Sequence, residues 1–192
     1  MEKYLRKILF LSMVILTLPI QAQHLKFMGI PLAGSIDHFS KRLAEKHILP
    51  IPSENRTLKF GIRAFYGYFA ERKSKIYVWY DRNKNVYSAK AFFYFSSEYY
   101  RDFIDAEKAS KNFAEGLLTM LKEKYPNFVE SEQYEHNVIA TLFIPKPEGE
   151  YYLGEISLWK QVFYAEDAYG INIQYTDYSS AHISKDKIKE DL

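Results

Sequence analysis

Cysteine is absent from the 192-residue chain. That excludes disulfides, thiolate metal ligands, cysteine nucleophiles and the lipid-bearing cysteine of bacterial lipoproteins. Glycine and proline are sparse, at 8 and 7, and no glycine- or serine-rich stretch marks a hinge or linker. The chain has no apolar run of the roughly 20 residues that a membrane-spanning helix needs, so no stable membrane insertion is expected. It also lacks a phosphate-cradling loop, a dinucleotide fingerprint, a Gly-x-Ser-x-Gly elbow and a calcium loop. The five histidines, His24, His38, His47, His136 and His182, form neither a His-x-His nor a His-Glu-x-x-His pair. No cofactor, no metal and no catalytic residue is therefore expected, and the chain reads as a non-enzyme.

Positive charge is nearly balanced, with 26 Lys and Arg against 24 Asp and Glu. The small excess sits at the start. Lys3, Arg6 and Lys7 precede an apolar run from Ile8 to Leu18, closed by Pro19 and the small residue Ala22. This is the pattern of a cleaved signal peptide over residues 1–22, which predicts a secreted or periplasmic protein. Those residues hold three of the basic side chains and one acidic one, Glu2, so the remainder has no net charge. A polyanionic partner thereby loses its simplest support. The segment Lys73–Lys90 interleaves basic and aromatic residues as single-strand binders do. Export and neutrality argue against nucleic acid, and a solvated hairpin accounts for it.

What is abundant is aromatic: 17 Tyr, 14 Phe and 2 Trp make up 17% of the chain. Hydrophobic residues at 47% suffice for a core over residues 23–192. His24–Ile30 reads as a short strand. Ser35 and Asp37 open a helix whose apolar stripe is Ile36, Phe39, Leu43, Ala44, His47 and Ile48, ended by Pro50 and Pro52. Strands follow over Thr57–Phe69, Ser74–Tyr80 and Val86–Phe95, the first with Ile62, Ala64 and Tyr66 inward and Lys59, Arg63 and Phe65 outward. A helix over about Ala106–Lys124, with stripe Ala109, Phe113, Leu117, Met120 and Leu121, precedes strands over Tyr134–Ile144, Tyr151–Tyr164 and Tyr169–Thr176. The order predicts an α+β fold of tandem helix-plus-three-strand units, over about 24–95 and 96–178, with an antiparallel sheet and both helices on one face.

The stretch Lys26–Leu43, KFMGIPLAGSIDHFSKRL, follows a leader ending in Gln-Ala-Gln. It resembles the start of small secreted proteins of gut Bacteroidetes that have no assigned function. In these a strand with a Gly-Ile-Pro-Leu turn leads into a Gly-Ser-Ile-Asp helix start, matched here by Gly29, Ile30, Pro31, Leu32, Gly34, Ser35, Ile36 and Asp37. The resemblance covers about the first tenth of the exported chain. The layout of the remainder is similar to the β-lactamase-inhibitor-protein fold, and more loosely to cystatin-like and TBP-like folds. Such likeness implies architecture and no activity.

One pattern points beyond the fold. Trp79 and Trp159 alternate with the apolar series of their strands, so they fall on the sheet face away from the helices, along with Tyr77, Phe92 and Tyr94. Arg63, Lys90 and Gln161 are assigned to the same face. A wet sheet face seldom carries so many rings, and exposed clusters of Trp, Tyr and Arg mark partner surfaces. Aromatic residues also favour strands for their own sake, which is the alternative account. The expected function is binding of a protein partner in an inhibitor- or immunity-like role. A carbohydrate or small-ligand binder, and an enzyme of unfamiliar type built on carboxylates such as Glu155 and Asp177 with His136, are the alternatives.

Overall fold

The computed structural model describes residues 23–131, 137–147 and 151–180. The leader 1–22, the start of the strand expected from Tyr134, His136 and the charged tail from His182 lie outside the described residues.

Residues 24–30 do not form one strand. β1 (Lys26–Phe27) and β2 (Ile30–Pro31) make a small hairpin, because Met28 and Gly29 both take positive φ, 52° and 79°. That two-residue turn twists in the sense that antiparallel strands require. α1 (Ile36–Ala44) starts as expected, with Ser35 Oγ accepting from the His38 amide at 3.2 Å and Ile36, Phe39 and Leu43 buried. It stops before the prolines. His47 turns left-handed at φ 59°, and the Ile48 amide reaches back to the Leu43 carbonyl at 3.0 Å. This is a Schellman-type ending on a residue other than glycine.

The chain continues through β3 (Leu49–Pro50) and a single helical turn, α2 (Pro52–Asn55), an element not expected from the sequence. Residues 57–61 are turn, so the expected strand loses its first five positions and Lys59 belongs to no sheet face. β4 (Ile62–Phe69), β5 (Arg72–Tyr80) and β6 (Val86–Ser96) follow. α3 (Phe103–Lys124) begins at the Asp102 cap, whose carboxylate accepts from the Asp105 amide at 2.8 Å. It starts three residues before the expected Ala106. Then come β7 (Val129–Glu130), β8 (Val138–Pro145), β9 (Tyr152–Phe163) and β10 (Ala168–Asp177).

Among the described residues eight strands form one antiparallel sheet in the order β3-β4-β5-β6-β10-β9-β8-β7. The fold is α+β. Strands from the first part of the chain fill one half of the sheet and those from the second part fill the other. The halves meet where β6 pairs with β10, from Ser96 opposite Ala168 to Ser88 opposite Thr176.

α1 and α3 lie on one face. Phe113 of α3 packs 4.6 Å from Phe93 and 5.6 Å from Phe95 of β6. Ala106, Ser110, Ala114, Leu117 and Leu121 are the buried stripe of α3, and their small members let it settle close to the sheet. That stripe is rotated from the expected one, and Met120 is exposed. On the α1 side Ile48 lies against Gly67, and Phe69 packs between Phe27 and Phe93 at 5.2 and 5.8 Å. β4 therefore turns Phe65 and Phe69 inward, and the expected facing of that strand is reversed. Tyr66 and Tyr68 are exposed. Both faces of β4 look apolar in sequence, because aromatic residues occupy Phe65, Tyr66, Tyr68 and Phe69. The covered face carries most of the large buried chains, including Phe27, Phe39, Phe65, Phe93, Phe95 and Ile76. Fully burying one such side chain is worth about 1.5–3 kcal/mol.

Candidate functional site

The second face of the sheet has no helix over it among the described residues; α2 touches its rim through Glu54. Strand register decides which side chains stand there. Tyr77 pairs with Lys90 and Lys90 with Gln174; Phe92 pairs with Asn172 and Asn172 with Trp159; Tyr94 pairs with Gly170 and Gly170 with Gln161. Trp79 lies on the same side of β5, two residues beyond Tyr77. Seven of the eight expected residues, Tyr77, Trp79, Lys90, Phe92, Tyr94, Trp159 and Gln161, are thus brought together across β5, β6, β10 and β9. All but the exposed Gln161 are partly buried.

Arg63 is the exception. It pairs with Val78 on the covered face, and its guanidinium donates to Asp37 and Ser40 of α1, each at 3.0 Å. The reversal of β4 removes it from the ring surface and makes it a strut between α1 and the sheet.

Lys90 is the centre of the arrangement. Its Nζ lies 5.2 Å from the ring centre of Tyr77, 5.8 Å from Trp79 and 5.7 Å from Trp159. Attraction between an ammonium and one such ring is worth about 0.5–2 kcal/mol, more as water is excluded. Burial pushes the Lys90 pKa below its usual 10.5. No carboxylate lies within ion-pair reach of Lys90 among the described residues.

Around it the polar groups divide into satisfied and unsatisfied. Ser88 Oγ donates to the Tyr175 carbonyl at 2.9 Å and accepts from Gln174 Nε2 at 3.1 Å. Asn172 is only 1% exposed, and its side-chain Nδ2 has no hydrogen-bond partner among the described residues. Leaving a buried donor unmet costs about 1–3 kcal/mol, so this amide stands out in a sheet otherwise well bonded. Carboxylates on the face are occupied. Glu54 binds Lys75 at 2.5 Å and Tyr77 at 3.3 Å, Glu155 takes the Tyr178 hydroxyl at 2.6 Å, and Glu166 takes that of Tyr94 at 2.6 Å. The bond to Glu166, with some burial and the charge of Glu166, pushes the Tyr94 phenol up to about 12. The bond to Glu54 raises Lys75, and burial followed by the charge of Glu54 raises Tyr77.

A second ring group adjoins the first. Phe163 packs edge-on to Phe92 at 6.1 Å and to Tyr94 at 6.0 Å. Gly170 makes room for it: a Cβ there would come within 2.5 Å of Phe92 and 3.0 Å of Phe163. A groove of about 730 Å³ opens beside these rings, lined by Tyr66, Lys75, Phe92, Tyr94, Phe163 and Glu166. Tyr66 and Phe163 were missed as site residues. Phe163 continues the Trp159–Gln161 alternation, so its signal was present. That of Tyr66 was masked by the misjudged facing of β4. Asn172, a lone amide in the apolar run Gly170–Ile173, was a visible signal of a polar position in the middle of the sheet.

Asp177, fully buried, lies 3.3 Å from His24 Nδ1, and Ser180 Oγ lies 3.2 Å from the same nitrogen. A serine triad needs its carboxylate and its hydroxyl on opposite imidazole nitrogens. Asp177 instead accepts the amides of Leu25 and Ser180, at 2.5 and 2.8 Å, tying the first described residues to the end of β10. Ser35 is occupied as a helix cap. Among the described residues no three His, Asp or Glu side chains gather as a metal site, and no helix is long and apolar enough to cross a membrane. No family model, no curated protein and no solved structure matches the chain.

Proposed function

We propose that the chain is an exported, non-enzymatic binding protein, secreted or periplasmic, whose helix-free sheet face engages a protein partner in an inhibitor- or immunity-like role. The observation that supports this most is the array of Tyr77, Trp79, Phe92, Tyr94 and Trp159, from β5, β6 and β9, partly exposed, on the face opposite α1 and α3. Rings of this kind are the usual anchors of protein interfaces, and they sit on rigid strands, so little freedom is lost when they are covered. The breadth of the surface fits a macromolecule. The leader-like residues 1–22 support export.

The fold is read as two tandem units, over about 24–95 and 96–178. Each runs from a helix (α1 or α3) through a two-residue edge strand (β3 or β7) to three long strands, and the last strands of both meet at the sheet centre. This doubling supports a wide continuous surface where one unit alone would offer half of it.

A photo-crosslinking residue at Gln161, in the full chain expressed in its own cell, tests the reading. A discrete protein adduct is expected from position 161, absent from the helix-side control position Lys108, and lost in the double variant Trp79→Ala/Trp159→Ala. Equal adducts from both positions refute it. Carbohydrate binding is the second reading, favoured by the ring-lined groove beside Phe92, Tyr94 and Phe163. A glycan-array signal abolished by Phe163→Ala, with no protein adduct, would select it.

A further inference from the structure

Resting on the reading of the open face as a protein-binding surface, we infer that Lys90, at the centre of its three rings, is the receptor for a carboxylate side chain, an Asp or Glu on a protruding segment of the protein partner. Four observations converge on it. Lys90 is a cation walled by Tyr77, Trp79 and Trp159 and has no carboxylate partner among the described residues. The carboxylates that could have served it are engaged elsewhere, Glu54 by Lys75 and Tyr77, Glu155 by Tyr178 and Glu166 by Tyr94. Lys73, exposed on the same side of β5 as Lys75, has no acidic partner among the described residues. Asn172, across β10 between Phe92 and Trp159, adds a buried amide N–H with nothing to donate to.

Among the described residues the face therefore holds donors in want of acceptors, while its carboxylates, Glu54, Glu155 and Glu166, are each bonded elsewhere. A neutral or basic partner group would leave Lys90 as it is, or repel it. A carboxylate supplies the missing acceptor, and the rings around it exclude water, which strengthens the pairing. A charge pair inside an aromatic rim is the usual make-up of an interface hot spot. The stated occupant is a protein acid because the rings are spread across the sheet around Lys90, whereas the groove is displaced toward Phe163. A uronic acid shares the carboxylate and is an outcome of the test.

The probe is a phage-displayed library of random 12-residue peptides panned on the full chain, with the selected peptides synthesised and titrated calorimetrically. Selected peptides are expected to share an Asp or Glu. Changing that residue to its amide, or Lys90→Met in the protein, is expected to weaken binding at least tenfold, and both changes together no more than either alone. The peptide-side change needs no protein variant, so the result does not depend on the folding of Lys90→Met. Peptides that depend on Trp159 but lose less than twofold on either change overturn the carboxylate inference and leave the sheet-face reading standing. Peptides indifferent to both Trp79→Ala and Trp159→Ala overturn the sheet-face reading itself. Lys90-dependent binding of an oligogalacturonate with no peptide selected overturns the inference in favour of a glycan acid.

Discussion

The two faces of the sheet are built from the same residue types to different ends. Under α1 and α3 the rings interlock: Phe27, Phe69, Phe93 and Phe113 form a chain of contacts at 4.6–5.8 Å, and the strand positions between them are filled by Ala, Ile and Val. On the other face Tyr77, Trp79, Phe92 and Trp159 alternate with Lys, Gln, Asn and Ser, and none is fully buried. Aromatic residues that meet one another across a filled interior contribute to stability. Those that stand around a single ammonium contribute more to shape and chemistry than to folding.

The contrast is broken most forcefully at adjacent residues. Phe93→Ala should cost about 3–5 kcal/mol, because Phe69 and Phe113 cannot close the space. Phe92→Ala should cost about 1 kcal/mol or less, since its place opens to water. Denaturant unfolding of both variants checks this, and equal losses would show that the open face is core.

Glycines offer a matched pair of intermediate size. Gly67→Ala puts a Cβ 2.6 Å from Ile48 Cγ1 and 3.0 Å from its Cα, so backbone must shift; a cost of about 1–3 kcal/mol is expected. Gly170→Ala meets only the far edges of Phe92 and Phe163, which can swing outward. Its cost should stay under about 1 kcal/mol, while the groove beside those rings changes shape. Thermal unfolding separates the two.

Legibility from sequence followed the same divide. Period-two patterns in β6 and β9 told inside from outside, and there the expected facing stands: Lys90, Phe92 and Trp159 out, with Ala89, Ala91, Phe93 and Leu158 in. β4 failed because the aromatic residues lie on both of its faces, leaving hydrophobicity without a direction. What set its facing was Gly67, which lets Ile48 approach, a contact between residues far apart in kind and close only in three dimensions. The stripe of α3 was misread for a related reason: Ala106, Ser110 and Ala114 are buried through smallness, and a hydrophobic count prefers Met120. The ring surface was legible as alternation. The Lys90 cluster was not, since Trp159 is brought to it across β10 by a pairing between the two halves that no local pattern announces.

The tyrosines titrate the comparison. Tyr94 on the open face and Tyr169 on the covered face are both pushed up to about 12, the first chiefly by its bond to Glu166 and the second chiefly by burial. Each neutral phenol favours the folded state; that stabilisation is whole below pH 10 and is lost as pH rises toward 12. Glu166→Gln should bring Tyr94 back toward 10, read as a phenolate absorbance step. Glu107→Gln should leave Tyr169 high. A parallel drop in both would mean that the faces are equally wet.

The smallest effect belongs to Lys90. Replacing it by Met keeps the length that fills the space among Tyr77, Trp79 and Trp159 and removes the charge. Two forces oppose each other: the rings attract the ammonium, and burial disfavours it, pushing its pKa below 10.5. The net change in stability near neutral pH should lie within about 1 kcal/mol. Its pH dependence has a definite sign. A lysine whose folded pKa is lowered binds fewer protons folded than unfolded, so wild-type stability rises as pH climbs from that lowered value to 10.5, while the Met variant gains nothing from this position. The difference between the two proteins should therefore move in favour of wild type over that window. Movement the other way would mean that the rings hold the charge more firmly than water does, and that Lys90 is a satisfied structural cation with no call for an acidic partner.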